Sequence, residues 1–143
     1  PLGLSAEPPR PGLPSLPDWI GTGGDQVSCL YGQTVGTAGD VNGDGFDDVI
    51  VGAPDYQSTD VEEREGAAAV FFGSETGLSS LPGWFVQSNN ANARFGFAVG
   101  TAGDVNGDGF DDVIVGAPDY QVDGVRKGAA AVYLGSASGL PVR

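Results

Sequence analysis

Val35–Gln57 and Val99–Gln121 are the same 23 residues, VGTAGDVNGDGFDDVIVGAPDYQ, set 64 positions apart. The likeness runs outward on both sides: "GAAAVFFGSETGL" answers "GAAAVYLGSASGL", and "GLPSLPDW" answers "GLSSLPGW". A repeat of this period, filling nearly all of a 143-residue chain, is the signature of an array of like units. It constrains the fold more than any single motif does.

Each unit reads as four short strands. "FGFAVGTAG" alternates loosely, "DDVIVGAP" is a continuous apolar run stopped by Gly-Ala-Pro, "GAAAVYLG" is rich in alanine, and "GWFVQ" surrounds Trp84. Strands of this length with turn clusters between them predict an all-β meander, and the 25 glycines and 10 prolines agree. An uninterrupted "VIV" has both faces covered, so sheets must stack face to face. The alanines of the third strand suit a place where neighbouring sheets approach closely. Radially stacked sheets of four antiparallel strands, the blades of a β-propeller, meet both demands.

Between the first two strands lies "GDVNGDGFDD", at Gly39–Asp48 and again at Gly103–Asp112. Asp40, Asn42 and Asp44 take positions 1, 3 and 5 of the loop, with Asp48 at position 9. The Phe46 carbonyl supplies position 7, and Gly45 at position 6 permits the reversal. Asp104, Asn106, Asp108, the Phe110 carbonyl and Asp112 repeat the set, with Gly109 at the reversal. Hard oxygen donors in this number suit Ca²⁺, which takes six to eight of them. Two calcium sites per chain are the expectation. The helix-flanked calcium loop carries Glu at position 12, whereas here that position is Val51 or Val115, inside a strand. Asp47 and Asp111, at position 8, are expected to point outward or to support the turn. Zinc is disfavoured, since the chain has no histidine and one cysteine.

The motifs "FG" at Phe95-Gly96, the acidic loop, and "GAP" at Gly116–Pro118 together resemble the FG-GAP repeat of integrin α-subunit propellers and many bacterial surface proteins. The first copy has Tyr31-Gly32 in place of "FG" and keeps "GAP" at Gly52–Pro54. The resemblance runs from about Leu16 to Leu140. It implies a β-propeller with calcium in the first hairpin of each blade, on an extracellular or cell-surface protein that binds other macromolecules or glycans. A non-catalytic, calcium-binding interaction or adhesion scaffold follows. A lectin-like glycan-binding propeller, or an accessory module of a secreted enzyme, is the alternative.

Composition agrees with a non-nucleic-acid partner. Nineteen acidic against six basic residues give a net charge of −13, unfavourable for nucleic acid or an anionic membrane. Eight of the nineteen acids sit in the two loops, so the charge is concentrated there. No apolar run is long enough to span a bilayer as a helix. No enzyme is expected, because the clustered carboxylates are committed to cation geometry. Cys29 stands where the second copy has Ala93, which suggests a small packed residue, and Trp19 and Trp84 suggest blade packing. A chain that begins without Met or a leader reads as mature or as a piece of a larger one.

The expected organisation is a proline-rich lead-in over 1–15, then an outer strand of a neighbouring or preceding blade with its connecting loop over 16–30. Blade 1 follows over 31–88, and blade 2, lacking its outer strand, over 89–143. Two blades do not make a ring, since propellers typically have four to eight. The ring is expected to be closed by other copies of the chain, with a swapped outer strand, or by further blades of a longer array. A protein or glycan ligand would meet the loops between strands 2 and 3 and between strands 4 and 1, where the copies differ most: "STDVEERE" against "VDGVRK", and "GTGGDQVSCL" against "QSNNANAR".

Overall fold

The computed structural model describes residues 17–58 and 63–141, and the proline-rich lead-in lies outside them. All regular structure among the described residues is β. Strands β1 (Thr34–Gly39), β2 (Asp48–Ala53), β3 (Ala67–Phe71) and β4 (Trp84–Gln87) form one antiparallel sheet in that order. Strands β5 (Ala98–Gly103), β6 (Asp112–Ala117) and β9 (Ala129–Tyr133) form a second, three-stranded sheet. Between β6 and β9, a small hairpin pairs β7 (Gln121–Val122) with β8 (Val125–Arg126). These sheets are propeller blades.

The registers of the two blades are the same. Thr34 faces Gly52 and Val35 faces Val51 in blade 1, as Ala98 faces Gly116 and Val99 faces Val115 in blade 2. A bulge follows Thr37 and Thr101, turning the chain into the acidic loop. The first strand is shorter than its sequence segment. Phe95–Phe97 is spent on a turn, because Arg94 and Gly96 have left-handed φ of 56° and 87°.

The blades pack face to face. Ile50, Ala68 and Val70 of blade 1 meet Val113, Val115 and Phe95 of blade 2 in one buried cluster, with β1 lying against β5. β3 is buried along its whole length, as its alanines require where two sheets close on each other. The other face of blade 1 holds a second cluster of Val51, Ala69 and Phe71, over which Trp19 and Tyr31 pack.

Pro17–Leu30 carries no ladder strand of its own. Trp19 nonetheless sits edge-on against Phe71, centroids 4.9 Å apart, and its indole N–H donates to the Ser79 carbonyl at 3.0 Å. Trp84, on the outer strand of blade 1, does the same against blade 2: it lies 4.9 Å from Tyr133 and donates to the Pro141 carbonyl at 2.9 Å. Both tryptophans are therefore packing residues, each on the third strand of the blade that follows it.

Candidate metal centres

The acidic loops are the β1–β2 and β5–β6 connections. Their shape is set by carboxylates turned back onto backbone N–H groups, the local bonding for which Asp and Asn are favoured in turns. Asp40 Oδ1 accepts from the N–H of Gly43 at 2.8 Å and of Asp44 at 3.1 Å, and Oδ2 accepts from Gly45 at 2.9 Å. Asn42 Oδ1 accepts from Asp44 at 3.2 Å, and Asp44 Oδ1 from Phe46 at 3.0 Å. Gly45 holds φ at +91°, a conformation that a side chain would strain. In the second loop Asp104 accepts from Asp108 and Gly109, Asn106 from Asp108, and Asp108 from Phe110.

Position 9 does something more than close the turn. Asp48 and Asp112 are fully buried. Asp48 accepts from Val41 in its own loop and from Gly73 in the β3–β4 loop, both at 2.9 Å. Asp112 accepts from Val105 at 2.8 Å and Gly135 at 2.9 Å. Each carboxylate thus clasps two loops at one end of its blade. Burial raises the Asp48 carboxyl above the usual range. The Gly73 and Val41 N–H groups oppose that shift, and the charges of Asp44 and Asp40 add to it. Asp104, on the open side of its loop, is held below the usual range, chiefly by the Gly109 N–H.

Among the described residues, no three Asp, Glu, Cys or His side chains gather closely enough to hold a metal by themselves. Asp40, Asp44 and Asp48 are near enough for their charges to repel, while Asn42 and the Phe46 carbonyl add neutral oxygens to the loop. A carboxylate oxygen has two acceptor sites, so a single backbone bond does not exhaust it. The donor set, all hard oxygen, fits calcium in its chemistry.

The position-8 residue is the one whose role the sequence hid. The Asp111 carboxylate accepts from the backbone N–H of Asp40 at 2.8 Å, and its own N–H donates to the Asp40 carbonyl at 3.0 Å. The Ser136 N–H donates to the Val41 carbonyl at 3.1 Å. Beside them the Phe110 ring covers Gly43, where a methyl would stand 2.6 Å from a ring carbon. Blade 2 therefore grips the first acidic loop through Phe110 and Asp111.

At the opposite end the Glu65 carboxylate, also buried, accepts from Ser58 at 2.8 Å and Asn89 at 3.0 Å. It clasps the β2–β3 and β4–β5 loops as Asp48 clasps the other pair. The Gly96 carbonyl presses on Gly52 closely enough to exclude a Cβ there, and Gly66 bridges Phe95. "FG" of one blade meets "GAP" of the blade before it, backbone to backbone. The model of the FG-GAP repeat matches at residues 31–71 and 95–134.

The chain belongs to the FG-GAP repeat family. Integrin alpha-PS2 of Drosophila melanogaster is 36% identical over 121 residues, 81% of this chain and 8% of that protein. Integrin alpha-8 of Gallus gallus is 34% identical over 119 residues, 82% of this chain and 11% of that protein. Integrin alpha-PS3 of Drosophila melanogaster reaches 39% over 118 residues, 82% and 10%. This FG-GAP chain spans about a tenth of the length of the curated relatives it matches.

Proposed function

We infer that this chain is an extracellular, non-catalytic interaction module of the adhesion type, whose two acidic loops each take one calcium ion. The observation that carries the cation reading is the crowding of Asp40 and Asp44 beside buried Asp48, whose carboxyl is raised chiefly by burial and further by the charges of Asp44 and Asp40. A divalent cation relieves that repulsion. Asp40, Asn42, Asp44, the Phe46 carbonyl and Asp48 would hold the first ion. Asp104, Asn106, Asp108, the Phe110 carbonyl and Asp112 would hold the second. Bound calcium supplies positive charge that neutralises the loop; it takes part in no reaction. The chain's own residues do the positioning: Asp48 and Asp112 tie each acidic loop to the β3–β4-type loop beside it, so filling the site stiffens one whole end of the blade.

The adhesion reading rests on the integrin alpha relatives and on the division of the blade into two ends. The acidic loops occupy one end, and the loops that vary between the copies occupy the other. A macromolecular ligand, protein or glycan, would meet the variable end, opposite the acidic loops. Thermal melting in millimolar calcium, in magnesium and in chelator tests the cation. Extracellular modules bind with Kd of roughly 10⁻⁴–10⁻³ M, so a melting temperature that climbs through this range of calcium is expected. Equal melting temperatures in calcium and chelator would overturn the reading.

A further inference from the structure

The chain has five asparagines, and the two that precede glycine, Asn42 and Asn106, both stand at position 3 of an acidic loop. The pairing follows from the turn. Gly43 and Gly107 hold φ of 72° and 71°, a left-handed conformation that side chains strain to adopt, so glycine is favoured there. Asparagine followed by glycine is chemically vulnerable. Its side-chain amide carbon is open to attack by the next backbone nitrogen, and glycine has no Cβ to block the approach.

The loop does more than leave the approach open. The Gly43 N–H, on the nitrogen that would attack, donates to Asp40 Oδ1 at 2.8 Å. Asp40 is therefore within reach of the proton that must leave. Asn42 Oδ1, which gains negative charge in the attack, accepts from the Asp44 N–H at 3.2 Å. That same bond folds the side-chain amide back over the Gly43 peptide. A proton acceptor at the nucleophile and a donor at the developing oxyanion are the two aids that such a step needs. The second loop repeats both: Asp104 accepts from the Gly107 N–H, and Asn106 Oδ1 accepts from Asp108 at 3.4 Å. There the Asn106 amide nitrogen also donates to Asp108 Oδ2 at 3.0 Å. Asn42 is half-buried and Asn106 exposed, so water reaches both.

We propose that Asn42 and Asn106 are self-modifying sites, at which the folded loop converts asparagine to aspartate and isoaspartate without an enzyme. In the first loop, Asp40 takes the Gly43 proton as the nitrogen bonds to the Asn42 side-chain carbon, closing a succinimide ring. The Asp44 N–H steadies the oxyanion that forms on Oδ1. The bond from the side-chain carbon to Nδ2 then breaks, and Nδ2 leaves as ammonia with the proton that Asp40 held. Water opens the ring at either carbonyl. One opening restores the ordinary backbone with an aspartate; the other leaves isoaspartate, with the chain routed through the side chain. One water is consumed for each ammonia released, and nothing is oxidised or reduced.

The two products differ in what they do to the loop. Aspartate adds a charge at position 3 and keeps the turn. Isoaspartate lengthens the backbone by one carbon, which carries Asp44 and Gly45 away from Asp40 and breaks the bonds between them. The inference rests on the loop's own hydrogen bonds and not on the cation.

Peptide mass spectrometry tests this on the whole chain, aged in chelator at mildly alkaline pH and then digested with trypsin. Cleavage separates the asparagines: Asn42 lies in the peptide ending at Arg64, Asn89, Asn90 and Asn92 in 65–94, and Asn106 in 95–126. The Asn42 and Asn106 peptides are expected to gain the mass of an NH2-to-OH exchange, split between two chromatographic forms, while 65–94 stays unchanged. Asp40→Ala should slow conversion at Asn42 at least several-fold and leave Asn106 as it was. Asp104→Ala is the mirror experiment, and serves if Asp40→Ala does not fold. A carboxylate that only ordered the turn would act in the opposite sense, since a looser loop lets the nitrogen reach the amide more often. Equal or faster conversion at Asn42 in Asp40→Ala overturns the proposal. So does asparagine that survives in both folded loops while the same chain in urea converts. Melting in calcium and chelator is read separately, so the cation reading can fail without this one, and the reverse.

Discussion

Ile50 and Ile114 stand at the same place in the same 23-residue sequence, opposite the same neighbours in the same register, and one is sealed while the other meets solvent. β3 is buried throughout, whereas the matching β9 is half open. The difference lies wholly in what stands next to each sheet. Among the described residues, blade 1 has a blade on one side and the Trp19 segment on the other, and blade 2 has blade 1 alone. A propeller blade is thus not a self-sufficient unit: its strands form from local pattern, but its core is supplied by the neighbour.

The largest test of this comparison is a matched pair of truncations. Ile50→Ala removes a fully buried side chain and is expected to cost about 2–5 kcal/mol of unfolding free energy in urea. Ile114→Ala should cost less than about 1 kcal/mol, because water already reaches that residue. Equal losses would mean the two environments are alike in solution, and the comparison would fall.

Next comes the grip between blades. Asp111→Ala deletes a charged acceptor for the Asp40 N–H and should cost roughly 1.5–3 kcal/mol. Asp47→Ala, its counterpart in the first loop, should be near neutral. A reversed order would place the contact on the wrong side of the blade.

Smaller again is the expected difference between the two acidic loops as the proposed calcium sites. Blade 2 holds the first loop through Phe110, Asp111 and Ser136; among the described residues the second loop has no such support. Preorganisation favours binding, so the first site should be tighter by a few-fold, on the order of 1 kcal/mol. Calorimetric titration of Asp108→Ala, which keeps site 1, against Asp44→Ala, which keeps site 2, measures it. Identical constants would show that the neighbouring blade does not order the loop.

The smallest effect concerns Tyr31, which replaces the phenylalanine found at Phe95. Its hydroxyl is buried and finds no hydrogen-bond partner among the described residues, and burial pushes its ionisation up to about 12. Tyr31→Phe is expected to gain up to about 1 kcal/mol. In the wild type, the unfolded chain releases this proton near pH 10, before the folded one does. Stability should therefore fall as pH rises from about 10 to about 12, and Tyr31→Phe should lessen that slope. An unchanged alkaline limb would show that the hydroxyl has found a partner.

Much of this was legible in advance. The repeat placed the strands, Gly-Ala-Pro ended β2 and β6, and the meander put both acidic loops at one end. The grip of Asp111 was not legible, because Asp47 has identical neighbours in sequence and no such contact among the described residues; a local sequence does not encode which sheet stands beside it. Glu65 sits in a loop that reads as a variable, charged surface, yet the backbone N–H groups of Ser58 and Asn89 turn it inward. The β7–β8 hairpin did leave a signal. Asp123-Gly124, with φ of 52° and 74°, is a two-residue turn of the kind that pairs strands directly, hidden within a segment read only as a loop.

The meeting of Gly96 with Gly52 sets the shape of what can be built. Near the first strands the blades touch through bare backbone, with no room for even a methyl group. At the outer rim Trp84 and Tyr133 hold them apart by the width of two rings. Each unit is accordingly a wedge, thin at the hub and thick at the perimeter, and a stack of wedges must curve. The arc each one subtends, and so the number in a full circle, is governed by the bulk of residues at these two radii. The loops can then diversify without altering the circumference.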